Sequence, residues 1–297
     1  MSSAARGYYV PHGTKWPILG SIALTLMVAG FASSLPTHNA DQSFGGPGIY
    51  AMYVGFALLL VMLFGWFGTV IRESQAGMFS AQVDRSFRWG MAWFIFSEVM
   101  FFAAFFGTLF YARELSVPWL AGEGSKALTN EILYNGLFQN VWPTNGPGVL
   151  GGKFGTIPAW GVPAINTLVL LTSGVTVTFA HWGLKKGNRG QLILGLAATV
   201  ALGFFFVYLQ AHEYAQAYGE LNLKLTSGIY GTTFFMLTGF HGLHVTLGAT
   251  MLTVILIRSI KGHFSEENHF AFEAVAWYWH FVDVVWLGLF IFVYWLV

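Results

Sequence analysis

The sequence predicts an all-α membrane protein, a bundle of seven transmembrane helices, and three observations predict it. Of its 297 residues, 55% are hydrophobic and only 9% are charged, where soluble domains run near a quarter charged. The apolar residues fall into seven runs, each long enough to cross ~30 Å of hydrocarbon, which takes ~20 helical residues. The runs are continuous, rich in Leu, Ala, Phe and Gly, and lack the period-two alternation of a membrane barrel. The net charge of +1 is too small to imply nucleic acid or an anionic surface as partner. The absence of cysteine excludes disulfides, thiolate metal sites and a cysteine nucleophile. The polar first sixteen residues, with no small-residue cleavage site after the first run, give no sign of a cleavable signal.

In order, the spans are Pro17–Leu35, Ile49–Ile71, Gly90–Ala112, Pro163–Leu184, Gln191–Ala211, Gly228–Ile257 and Val275–Val297. The sixth, at 30 residues, would reach ~45 Å if wholly helical, so it must tilt or project beyond the bilayer. Ten of the fourteen Lys and Arg residues fall in the N-terminal segment and the alternate loops on its side. That bias puts the N-terminus in the cytoplasm or matrix and Val297 outside. Three of the four contrary charges lie in the long outer segment 113–162, whose glycines and prolines (WPTNGPGVLGG, Trp142 to Gly152) suggest an ordered, irregular cap.

The third span sets one carboxylate, Glu98, among residues 89–112 that carry no other charge (FIFSEVMFF, Phe94 to Phe102). An ionised carboxylate in hydrocarbon is so costly that such a residue faces the protein interior, finds a partner or stays protonated. Glu98 is therefore expected to face neighbouring helices and to be held neutral by hydrogen bonds. Two readings stand side by side: a structural acid that fixes helix register, and a group in proton handling. Asp283 on the seventh span is the other intramembrane acid in this reading. No internal repeat supports an inverted-repeat transporter, and no ring of like polar groups suggests a channel.

His241 and His244 share a face of the sixth span at i and i+3, and His280 and Asp283 repeat that spacing on the seventh. A di-metal carboxylate site would need several more acids facing the same interior, such as a Glu-x-x-His pair on each of two helices. A bis-histidine haem would need ligands at matched depth on facing helices, for which His244 and His280 are the candidates, or His181 and His212 nearer the ends. Hydrogen-bonding histidines in packed helix interfaces are the expected reading for His241, His244 and His280, with no metal. Tryptophans near span ends, Trp66 among them, fit the interfacial belt. The Gly and Thr positions of NTLVLLTSG (Asn166 to Gly174) fit close helix packing.

Five strings in order, IRES (Ile71 to Ser74), FSEVMFF around Glu98, NTLVLLTSG, GIYGTTFFMLTGFHGLHV (Gly228 to Val245) and HFAFEAVAWYWHFVDVVWL (His269 to Leu287), together resemble subunit III of the haem-copper cytochrome c oxidases. The likeness runs over nearly the whole chain and is weakest over Leu115 to Trp160. That segment is longer than the corresponding loop of mitochondrial members.

The resemblance implies an accessory, non-catalytic subunit of a proton-pumping oxidase in the aerobic respiratory chain. It would contact subunit I directly, lie with subunit II in a complex whose donor is cytochrome c, and support proton uptake. It implies no redox centre of its own, haem and copper residing only in the partner subunits. Phospholipids would sit in a cleft between the first two helices (residues 1–72) and the other five (73–297). By motif, Glu98 matches the family's buried glutamate, and Trp66, Arg72 and Glu73 match the end of the second helix beside that cleft. Arg258 and Lys261 match basic residues at the inner end of the sixth helix where a lipid phosphate is expected. A cation at headgroup depth also pairs well with phosphate on physical grounds. The long loop favours a bacterial inner membrane over the mitochondrial one. The equivalent subunit of a quinol oxidase or nitric oxide reductase is the nearest alternative, and a stand-alone redox protein or transporter using His241, His244 and His280 the more distant one.

Overall fold

A computed structural model describes residues 9, 13–35 and 45–297. Most of the polar N-terminal segment, with Arg6, and residues 36–44 between the first two helices lie outside the described residues. The described residues are 77% helical and hold no strand. Seven helices are long and apolar enough to cross a membrane: α1 (Trp16–Ser34), α2 (Gly48–Gln75), α3 (Ala81–Phe110), α4 (Val162–Lys185), α5 (Arg189–Gly219), α6 (Gly228–Ile260) and α7 (Phe270–Leu289). Turns of π-helix extend α3 over Tyr111–Ser116 and α7 over Phe290–Trp295.

Two helices outrun the apolar runs that announced them. α3 begins at Ala81 rather than near Gly90, and α5 continues to Gly219 rather than ending near Ala211. Hydropathy marks the part of a helix that suits hydrocarbon, whereas backbone hydrogen bonds continue through polar turns such as QVDRSFR and HEYAQAYG.

The chain divides into two compact units, Met1–Phe87 and Arg88–Val297, with the division inside α3. In the first, α1 and α2 run antiparallel on small residues. A Cβ at Gly30 would come 2.5 Å from the Met52 backbone nitrogen, and one at Gly55 2.7 Å from the Ala23 carbonyl oxygen. Such contact is how helices associate where lipid is as apolar as leucine. Gly30→Ala is expected to pry the pair apart at a cost of about 1–3 kcal/mol, read as a lower denaturation midpoint in detergent. An unchanged midpoint would show that the backbones part freely.

In the second unit, α4 and α5 form a hairpin closed by Gly187 at φ +65° and by the Asn188 side chain, which accepts the Gln191 N–H at 3.1 Å. A Cβ at Gly183 or Gly195 would lie 2.8 Å from Leu192 nitrogen or the Ala180 methyl, and the Thr176 and Thr199 hydroxyls meet at 2.8 Å. Trp279 of α7 is fully buried where four helices converge. Its indole N–H donates to the Ser173 hydroxyl of α4 at 2.8 Å, and its ring occupies the spaces left by Gly203 of α5 and Gly248 of α6. Two turns on, Trp286 donates to the Thr167 hydroxyl at 2.9 Å, and Phe206 meets it edge-on. α3 joins this group through Phe101 against Phe240 and Phe102 against His244.

The long segment 113–162 folds onto the same unit. A short helix, Ala127–Tyr134, follows α3 and its π turn. Residues 142–157 then lie along the α5–α6 connection. Asn222 donates its amide to the carbonyls of Gly151 and Lys153, the Tyr230 N–H reaches the Thr144 carbonyl, and Trp142 meets the Tyr230 ring edge-on.

Candidate functional site

Glu98 is not alone in its helix layer: its Oε2 lies 2.9 Å from Nε2 of His244 on α6. The other imidazole nitrogen, Nδ1, lies 2.6 Å from the Phe240 carbonyl oxygen, one turn back on α6. A carbonyl only accepts, so Nδ1 carries a proton and donates. One proton then sits between Nε2 and the carboxyl, whether as a neutral acid donating to imidazole or as an imidazolium donating to carboxylate. Either way the pair has no net charge, which is the condition a carboxyl group must meet in hydrocarbon. Phe101, Phe102 and Tyr278 wall the imidazole. The sequence shows Glu98 and His244 only as separate residues of the third and sixth spans; the structure brings them together across 146 residues.

The remaining sequence-selected histidines do not join them. His241 is fully buried, with Nε2 3.1 Å from the Val282 carbonyl oxygen of α7, so it donates there and ties α6 to α7. His280 stays 46% exposed at its side chain, with Nδ1 3.5 Å from Asp283 Oδ2 and Nε2 3.3 Å from the Thr178 hydroxyl of α4. Asp283 is buried, with its Oδ1 unpartnered, and its Oδ2 comes so close to Gly174 that a Cβ there would lie 2.4 Å away. Each histidine has its own protein partner, so the structure does not bring His244 and His280 forward as a ligand pair.

The expectation of only two intramembrane acids is corrected by Glu213. It lies on the part of α5 beyond the apolar run and is fully buried. Tyr294 donates its hydroxyl to Glu213 Oε1 at 2.6 Å, and Gln210 its amide at 3.5 Å, while Oε2 is left without a partner. The signal was in the sequence: Gln210, Glu213 and Ala217 stand at helical spacing and carry one face of the helix on beyond Ala211.

The expected lipid residues divide between the units. In the first, Trp66 and Arg72 are exposed, and Arg72 bonds within α2 to the Gly68 carbonyl and Thr69 hydroxyl. Glu73 accepts the Tyr9 hydroxyl at 3.0 Å. In the second, Arg258 is buried with its guanidinium 4.5 Å from the Phe264 ring centre and its Nε unpartnered, and Lys261 is exposed. Beside them, in the α6–α7 loop, burial and the charges of Arg258 and Lys261 hold the His263 imidazole below its ordinary pKa.

These features define a class: a polytopic helical membrane protein whose helices are joined by buried polar pairs such as Glu98–His244 and Glu213–Tyr294. The family model for cytochrome c oxidase subunit III matches residues 6–123 and 138–297. The cytochrome c oxidase subunit 3 proteins of Squalus acanthias and Gadus morhua are each 40% identical over 296 residues, covering 99% of this chain and 99% of theirs. The chain belongs to the cytochrome c oxidase subunit III family, an accessory membrane subunit without a redox centre of its own. That membership does not favour the quinol oxidase, nitric oxide reductase or stand-alone readings.

Proposed function

We propose that the chain supports an oxygen-reducing, proton-pumping oxidase from beside its catalytic subunit. On this reading it touches subunit I directly, lies in one complex with subunit II, and serves a complex that takes electrons from cytochrome c. The chain-long match to the subunit III family carries the reading. The Glu98–His244 pair supports a part in proton uptake, because a proton shared between a carboxyl and an imidazole moves at little cost when a second one arrives or leaves. Asp283, with its free oxygen and His280 beside it, is the second candidate for such buffering. The vertebrate relatives favour a mitochondrial inner membrane over the bacterial one expected from the loop.

Purification in mild detergent tests this. Haem and copper are expected to accompany the chain in the complex, and the separated chain is expected to show no Soret band. A stoichiometric haem on the separated chain would overturn the accessory role.

Phospholipid is the second part of the proposal. Arg258 and Lys261 supply a guanidinium and an ammonium for one phosphate, and the unpartnered Nε of Arg258 is a donor in need of such an acceptor. Trp66, Arg72 and Glu73 offer the corresponding headgroup contacts on the N-terminal unit, and the lipid cleft is proposed with them. Arg258→Ala or Arg72→Ala is expected to lower the phospholipid retained per complex and to hasten loss of activity during turnover, with haem content unchanged. Equal lipid content in parent and both variants would remove the assignment.

A further inference from the structure

At the end of the bundle that holds the α4–α5 turn, three side chains outside every pair described above converge on one point. They are His181 near the end of α4, His269 just before α7, and Glu273 in its first turn. His181 Nε2, His269 Nε2 and Glu273 Oε1 all lie within 4.8 Å of one another, and each imidazole nitrogen is close to the carboxylate oxygen, at 3.6 Å for His181 and 3.2 Å for His269.

The protonation of His269 makes this arrangement informative. Its Nδ1 lies 3.0 Å from the Ser265 carbonyl oxygen, so Nδ1 carries the proton and donates. A neutral His269 then turns the lone pair of Nε2 onto a carboxylate oxygen, two acceptors face to face. The residue is 8% exposed, and neither its Nε2 nor that of His181 has a hydrogen-bond partner. Something positive belongs between them: a second proton on the ring, or a metal ion.

The donor set favours the metal. Two imidazoles and a carboxylate suit a borderline transition ion, not calcium or magnesium, which take oxygen ligands. A tetrahedral zinc with bonds of ~2.0–2.1 Å holds its ligand atoms about 3.3 Å apart, and the two measured separations of 3.2 and 3.6 Å bracket that value. The supporting contacts are those of a metal ligand's surroundings: a backbone carbonyl fixes the His269 tautomer, and Arg88 holds the other Glu273 oxygen, fixing the carboxylate. The charges that face the group are Glu273, Arg88 and Lys185. The two cations oppose a third, so coordination by the nitrogen lone pairs must hold the ion.

We propose that His181, His269 and Glu273 form a non-redox zinc-class site, with water in the fourth position, that clamps the end of α4 to the start of α7. The proposal concerns a structural ion and leaves the family's lack of a redox centre untouched.

The test uses the intact complex in which the chain purifies. It is stripped with chelator, dialysed against Zn2+ alone, and assayed for zinc by mass spectrometry per copy of this chain. The parent is expected to hold one zinc more than His269→Gln or Glu273→Gln, variants that keep side-chain size and a hydrogen-bonding group at each position. An anomalous difference map at the zinc edge is expected to show a peak ~2.0–2.2 Å from the three ligand atoms. Equal zinc in parent and variants, or no peak in the cluster at saturating zinc, would overturn the proposal and leave a protonated His269 paired with Glu273. Where a variant fails to assemble, the map of the parent alone decides between the same two outcomes. Neither readout depends on oxidase activity, so failure here is distinct from failure of the accessory role.

Discussion

Trp279→Ala is expected to be among the most damaging single substitutions in the chain, destabilising the C-terminal unit by about 3–5 kcal/mol. Between helices in lipid the loss is less a matter of water than of packing. Removing the indole opens a cavity whose walls lose their van der Waals partners. Here the walls are glycines, Gly203 and Gly248, whose missing side chains exist to admit the ring, so nothing nearby can swing in to fill the space. The Ser173 hydroxyl would lose the indole N–H as well. Trp279→Phe should recover most of the packing and leave only the hydrogen bond missing. Chemical denaturation in detergent measures both, and an Ala variant within about 1 kcal/mol of the parent would show that the helices close over the gap.

Glu98 should separate its two roles by substitution. Glu98→Leu leaves His244 Nε2, 2.9 Å away in the parent, facing a methyl group, at a cost of about 1–3 kcal/mol. Glu98→Gln keeps the shape and can donate its amide N–H to Nε2, so stability should stay close to the parent. If the shared proton is used, the Gln variant assembles normally yet inactivates faster in turnover or releases fewer protons. If the pair only fixes helix register, Gln is silent in both assays, and His244→Phe combined with Glu98→Leu should then be less damaging than the sum of the two single changes.

The spans were legible because apolar runs of that length have few other uses, and the oddity of Glu98 was legible because nothing else in residues 89–112 is charged. Its partner was not. Hydropathy and spacing describe one helix at a time, while the pairing of Glu98 with His244 is set by the rotation of α3 against α6. Glu213 was lost because the reading stopped where the apolar run stopped, although α5 did not. His181 and His269 were discounted or passed over as residues near span ends, where a single helix shows neither the other imidazole nor Glu273. Trp279 and Trp286 sat plainly in the string WYWHFVDVVWL, but the glycines that receive Trp279 lie on two other helices.

Asn130, in the short helix Ala127–Tyr134, gives its amide N–H groups to the carbonyls of Ala121 and Phe138, and its oxygen takes the Phe138 N–H. The family match breaks off at 123 and resumes at 138, so one side chain fastens the two edges of the unmatched stretch to each other. Tied in this way the stretch closes on itself, and a change in its length or sequence that spares Asn130 would leave its two ends neighbours and the helices beneath it in place.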